Sequence, residues 1–99
     1  MITRIVKLTF EEDKVNDFLN LFETIKWNVA KFPGCRGMNL LKDNEHSNIF
    51  FTVSVWENDE ALNNYKGSEL FWTIWPTLKI YFKEKAEAWT LSSYFCSTK

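Results

Sequence analysis

Apolar and polar positions alternate from the start of the chain. Ile2, Arg4, Val6, Leu8 and Phe10 fall on one face, and Thr3, Ile5, Lys7 and Thr9 on the other, which is the period of two of a β-strand. After Phe10 the period changes. Val15, Phe18, Leu19, Phe22, Ile25, Val29 and Phe32 recur at spacings of three and four, which predicts an amphipathic helix from Glu11 to Lys31. Thr9 and Glu12 fit a capping box, and Glu11, Glu12 and Asp13 suit the positive end of that helix. Pro33-Gly34 stops it.

Cys35 to Lys42 reads as a second strand and Ile49 to Glu57 as a third. The polar turn Asp43-Asn44-Glu45-His46-Ser47-Asn48 joins them into a hairpin. The third strand is apolar on both faces. Ile49, Phe51, Val53 and Val55 alternate with Phe50 and Trp56, and Thr52 and Ser54 lie between those two. A strand of that kind belongs in the middle of a sheet covered on both sides. Asn58 can cap a short helix over Asp59–Lys66 that Gly67 closes, and Ser68 can cap another from Glu69 to Phe82. The stripe of this last helix is Phe71, Ile74, Trp75, Leu78 and Phe82. Pro76 lies within it and predicts a kink or a break. Lys83-Glu84-Lys85 reads as a solvated connection. Ala86 to Phe95 reads as a fourth strand, with Glu87, Trp89, Leu91, Ser93 and Phe95 on one face.

The order is β-α-β-β-α-β, with the second helical segment split. That is the ferredoxin-like α+β pattern, a four-stranded antiparallel sheet with its helices on one face. The other face would be apolar and in need of cover, for which a second subunit is the simplest candidate.

Composition sharpens this picture. The 99 residues make one domain. Aromatic residues are 17% of them, more than one small core needs, so some should line a pocket or an interface. Twelve basic residues balance thirteen acidic ones, and no basic patch or run stands out, so neither nucleic acid nor an anionic membrane is the expected partner. No apolar run approaches the ~20 residues of a membrane helix, and the N-terminus has no signal-peptide core or cleavage site. Cys35 and Cys96 are the only cysteines. They are expected to be reduced, partly buried thiols in a cytoplasmic protein.

The residues now resemble a known family. Phe51–Trp56 (FTVSVW), Glu60-Ala61-Leu62, Ser68 followed by Phe71, Trp75, Lys79 and Ala86-Glu87-Ala88-Trp89 are similar to the antibiotic biosynthesis monooxygenase-like family, as is the turn Pro33-Gly34-Cys35. The resemblance spans nearly the whole chain. It implies a dimeric α+β barrel, two sheets packed face to face, with a pocket between sheet and helices in each subunit. Some relatives oxidise aromatic polyketides or quinols with molecular oxygen and no cofactor, and others degrade haem. The haem-degrading branch uses an Asn on the first strand, a Trp near the end of the third and a His on the later helix. Trp56 matches. The other two positions fall near Val6 and Trp75, so that route is rejected and no cofactor is expected.

The candidate substrate-binding residues are Trp56, Tyr65, Phe71, Trp72, Trp75 and Lys79. Flat rings would stack on a planar substrate, their N–H and O–H groups would orient it, and Lys79 could face an anionic group. For each ring the competing role is core packing, and for Lys79 a solvated helix face. His46 has the right chemistry for a base but lies in the hairpin turn. Arg36 and Asn39 could touch a ligand or face water. No metal-ligand spacing, Gly-rich loop or Ser-His-Asp arrangement is visible. Two functions stay open: a cofactor-independent monooxygenase acting on a small aromatic, and a non-catalytic dimeric module for a small ligand.

Overall fold

A computed structural model describes residues 1–97. Four strands, β1 (Ile2–Phe10), β2 (Cys35–Lys42), β3 (Ile49–Trp56) and β4 (Phe82–Ser92), and three helices, α1 (Val15–Ala30), α2 (Asp59–Lys66) and α3 (Glu69–Tyr81), follow in the order β1-α1-β2-β3-α2-α3-β4. The sheet is antiparallel throughout, in the order β2-β3-β1-β4. This is the expected ferredoxin-like α+β arrangement, with β3 and β1 central and β2 and β4 at the edges.

The alternation in β1 sets the two faces. Ile2, Leu8 and Phe10 are buried, and Val6 packs with them under the helices. They meet Phe18 and Val29 of α1, Ile74 and Leu78 of α3, and Leu62 of α2. On the opposite face Ile5 lies between Val53 and Trp89, and Thr3 between Val55 and Leu91. No helix covers that side. Trp89 (43%) and Leu91 (48%) are exposed in the single chain.

Several boundaries differ from those the sequence predicts. The first helix does not begin at Glu11 through a capping box. Thr9 is buried and paired within β1, so its backbone is unavailable to cap. The chain instead makes a 3-10 turn at Glu12–Lys14 before α1, with no side-chain cap on either. Helix α3 runs unbroken through Pro76. Pro76 and Trp72 both lie on the exposed side, where the carbonyl left without an amide donor can be hydrated. The segment Lys83–Lys85 belongs to β4, because Phe82 and Glu84 pair with Phe10 and Thr9. The strand ends at Ser92, opposite Ile2. Beyond it β1 offers no further residue to pair, so 93–95 are not strand.

The other caps form as expected. Asn58 Oδ1 accepts from the Ala61 amide at 2.8 Å, and Ser68 Oγ accepts from the Phe71 amide at 3.2 Å. Gly34 sits at φ +87°, and a Cβ there would overlap that of Ala61. Glycine therefore both makes the turn after α1 and lets α2 approach it. In the β2–β3 hairpin, Asp43 Oδ1 accepts from the Glu45 and His46 amides at 2.7 and 3.1 Å. These bonds hold its carboxyl below the usual range. Cys35 is half-buried, whereas Cys96 is exposed rather than partly buried, since it lies past the end of β4, and no disulfide joins the two. No helix among the described residues is long and apolar enough to cross a membrane.

Candidate functional site

Between the sheet and its helices lies a cavity of about 280 Å3. Its floor comes from the helix-facing rows of the strands: Arg4, Val6 and Leu8 of β1, Met38 of β2, Thr52, Ser54 and Trp56 of β3, and Ala86 and Ala88 of β4. Its roof is Phe18, Phe22, Ile25 and Val29 of α1, with residues of α2 and α3. The space exists because β4 presents only methyl groups where the other strands present larger side chains. Two alanines beneath helices spaced by Phe and Trp leave a gap that close packing would otherwise fill.

One wall is a run of aromatic rings. Trp56 is fully buried and stacks on Tyr65 with ring centroids 5.0 Å apart and planes 25° apart. Tyr65 meets Phe71 edge-on at 5.4 Å, and Phe71 stacks on Trp75 at 5.7 Å and 16°. Trp75 ends the run against Phe82. Each contact is worth about 0.5–1.5 kcal/mol beyond the area it buries, so the wall is held in place without a ligand. The Trp56 indole N–H donates to Ser54 Oγ at 2.9 Å, and this satisfies a buried donor. Burial, reinforced by the nearby Cys35 sulfur, pushes the Tyr65 phenol up to about 12. The phenol therefore keeps its proton at neutral pH and can donate a hydrogen bond.

Of the six candidate residues, Trp56, Tyr65, Phe71 and Trp75 line the cavity. Trp72 and Lys79 do not. Trp72 is 61% exposed and touches Phe71 edge-on from outside, and Lys79 is exposed. Each follows a cavity residue by one position, Phe71 and Leu78, and one step along a helix turns a side chain by about 100°. Arg36 and Asn39 are exposed on the edge strand, where Arg36 pairs with Glu57 at 3.2 Å. His46 is exposed in the hairpin turn.

Polar cavity residues escaped the sequence reading: Arg4, Thr52, Ser54 and Lys66. For three of them a signal was present. Arg4 is the one charged residue in the otherwise apolar row of β1, and Thr52 and Ser54 sit in the row that Phe50 and Trp56 bracket. Lys66, at the end of α2, left no pattern to read. The haem-degrading arrangement does not fit this cavity: Val6 and Trp75 stand where its Asn and His would be, and His46 is remote in its turn. Among the described residues, no group of three or more His, Cys, Asp or Glu could hold a metal ion.

A helix-capped antiparallel sheet with a cavity on its covered face defines the class, and comparison with known proteins names it. The profile of the antibiotic biosynthesis monooxygenase family matches residues 1–74, and the chain belongs to that family. No curated protein matches the chain in sequence. Among solved structures, a conserved protein from Methanosarcina mazei Go1 is 23% identical, with a TM-score of 0.85 over 92% of this chain and 91% of the other. A mutant of SnoaB, a cofactor-independent oxygenase from Streptomyces nogalater, is 16% identical, with a TM-score of 0.86 over 99% and 97%. Rv0793 from Mycobacterium tuberculosis is 12% identical, with a TM-score of 0.89 over 98% of each chain. These likenesses extend the shared fold beyond residue 74 to β4.

Proposed function

We propose that this protein is a cofactor-independent monooxygenase for a small planar aromatic, such as a quinol or a polyketide-like phenol, and that it works as a homodimer. The observation that carries this reading is the cavity wall Trp56–Tyr65–Phe71–Trp75, an already assembled stacking surface that ends in polar groups. The SnoaB likeness supports it at the level of fold.

The reaction asks little of the protein. An activated CH2, that of an anthrone or of a phenol in its keto form, loses a proton to water. The resulting carbanion reduces oxygen and combines with it to a peroxide, which loses water to leave a carbonyl. One oxygen atom enters the product and the other leaves as water. The chain's own contribution is to exclude solvent, hold the ring flat and stabilise the negative charge of the enolate. The guanidinium of Arg4, the ammonium of Lys66 and the protonated Tyr65 phenol are the donors available for that charge.

A second reading, a non-catalytic binding module, draws on one observation: no carboxylate or imidazole lines the cavity to take the proton. Oxygen uptake with a phenolic anthrone or naphthalenediol distinguishes the two. The monooxygenase reading expects uptake above the spontaneous rate with metal-free protein. It also expects that uptake to fall in Trp75→Phe and to be unchanged in Trp72→Phe, whose ring lies outside. A phenol that binds without accelerated oxygen uptake would leave the binding module as the function.

The dimer reading is supported by the uncovered sheet face, where Ile5, Phe51, Val53, Val55, Trp89 and Leu91 form an apolar surface.

A further inference from the structure

Two cations line the cavity, and neither has a carboxylate. Arg4 projects from the helix-facing row of β1, between Ser54 of β3 and Thr90 of β4. Its one hydrogen bond is donated to Thr90 Oγ1, at 2.9 Å. Lys66 is the last residue of α2 and lines the cavity from above. Among the described residues, the ion pairs are made by Lys7, Lys14, Lys26 and Arg36, and none by Arg4 or Lys66. The lining contains no Asp or Glu, so its formal charge is positive in a chain whose net charge is −1. Arg4 is half-buried in an apolar row, and no carboxylate among the described residues answers its charge, which leaves that charge open to an anion.

Both cations line the same cavity, Arg4 from the sheet and Lys66 from the end of α2. Arg4 stands opposite Ser54 in the sheet. Ser54 holds the Trp56 indole, Trp56 stacks on Tyr65, and Lys66 is the next residue. The lining also has an apolar part: Leu8, Phe18 and Leu78, with Phe50 behind them. The cavity thus offers cations and hydroxyls alongside hydrocarbon.

Resting on the reading of this cavity as an aromatic ligand site, we infer that its ligand is an aromatic carboxylate, the ring against the aromatic wall and the carboxylate shared by Arg4 and Lys66. A carboxylate is favoured over a phenol because basic side chains line the cavity without any acidic one. They call for an anion that is already ionised at neutral pH, as a carboxylate is and a phenol, with its ordinary pKa of about 10, is not. A planar guanidinium also matches the two oxygens of a carboxylate. Arg4 and Lys66 are then specificity-determining residues that favour a ring bearing a carboxylate over the same ring without one.

The test is calorimetric binding of three naphthalene probes, naphthoate, its isostere naphthamide, and naphthol, to the purified protein at neutral pH and low salt. Naphthoate should bind tenfold or more tighter than the two uncharged probes, about the value of a charge-assisted hydrogen bond. Arg4→Met and Lys66→Met should each remove most of that preference and leave naphthamide affinity within about twofold. Lys66, at a helix end, gives an informative variant even if Arg4→Met fails to fold. Equal affinity for all three probes, or a preference that survives Lys66→Met and Arg4→Gln, overturns the carboxylate assignment and leaves the cavity reading standing. Absence of binding by any probe overturns both.

Discussion

Arg4 and Tyr65 show how the surroundings decide what a side chain can do. Arg4 belongs to a row whose other members make the core, yet its guanidinium reaches a cavity rather than a carboxylate. Tyr65 is held between Trp56 and Phe71, and burial keeps its proton on. This has a consequence for stability. The folded phenol titrates at about 12 and the unfolded one near 10.0. Its contribution is therefore fully present below about pH 10 and is lost as pH rises toward 12, because the unfolded chain gives up the proton first. Denaturant unfolding at about pH 9 and about pH 11 should show a smaller loss of stability in Tyr65→Phe than in the parent. Equal losses in the two proteins would mean that Tyr65 is not buried against the wall as described.

At the scale of elements, the corner between α2 and α3 positions the aromatic wall. Ser68 Oγ donates to the Tyr65 carbonyl at 2.6 Å and accepts from the Phe71 amide at 3.2 Å. One hydroxyl therefore closes α2, opens α3 and fixes the edge-on contact of two cavity rings. Ser68→Ala should cost about 1 kcal/mol, a fall in Tm of roughly 4–8 °C for a domain this small, and should weaken aromatic binding. Ser68→Asp keeps an N-cap acceptor and should retain most of the stability. A Ser68→Ala protein melting like the parent would show that the corner is held by packing alone. The same corner was legible in the chain as Gly67-Ser68 after a short polar helix. The start of α1 was misread because a capping box is a local pattern, and the pairing of Thr9 with Ile49, forty residues on, outweighed it. The start of β4 was misread for the same reason. Three charged residues look like a loop until β1 pairs with them.

For the whole molecule, the sheet has one face under helices and one face bare. The bare face carries the row Phe51, Val53 and Val55 of a central strand, and covering it would complete the burial that both faces of β3 call for. Light scattering at micromolar concentration should give twice the mass of the chain. Phe51→Lys, a charge in the middle of that face, should give a monomer with the cavity intact. A parent protein that runs as a monomer would sink the dimer reading.

The sequence by itself determined the elements and their order, the alternation that splits β1 into two faces, and four aromatic residues that line the cavity. These follow from periodicity and from caps, which depend on residues a few positions apart. Only the tertiary structure decided that the wall excludes Trp72 and Lys79, and that Ala86 and Ala88 open a space beneath it. That Arg4, Ser54 and Lys66 line that space was settled there as well. The exclusion of Trp72 and Lys79 depends on which face α3 turns to the sheet, and the cavity floor depends on cross-strand register. The register joins residues far apart in the chain, Arg4 with Ser54 and Val6 with Ala88, a separation over which a pattern of polar and apolar letters carries no geometric information.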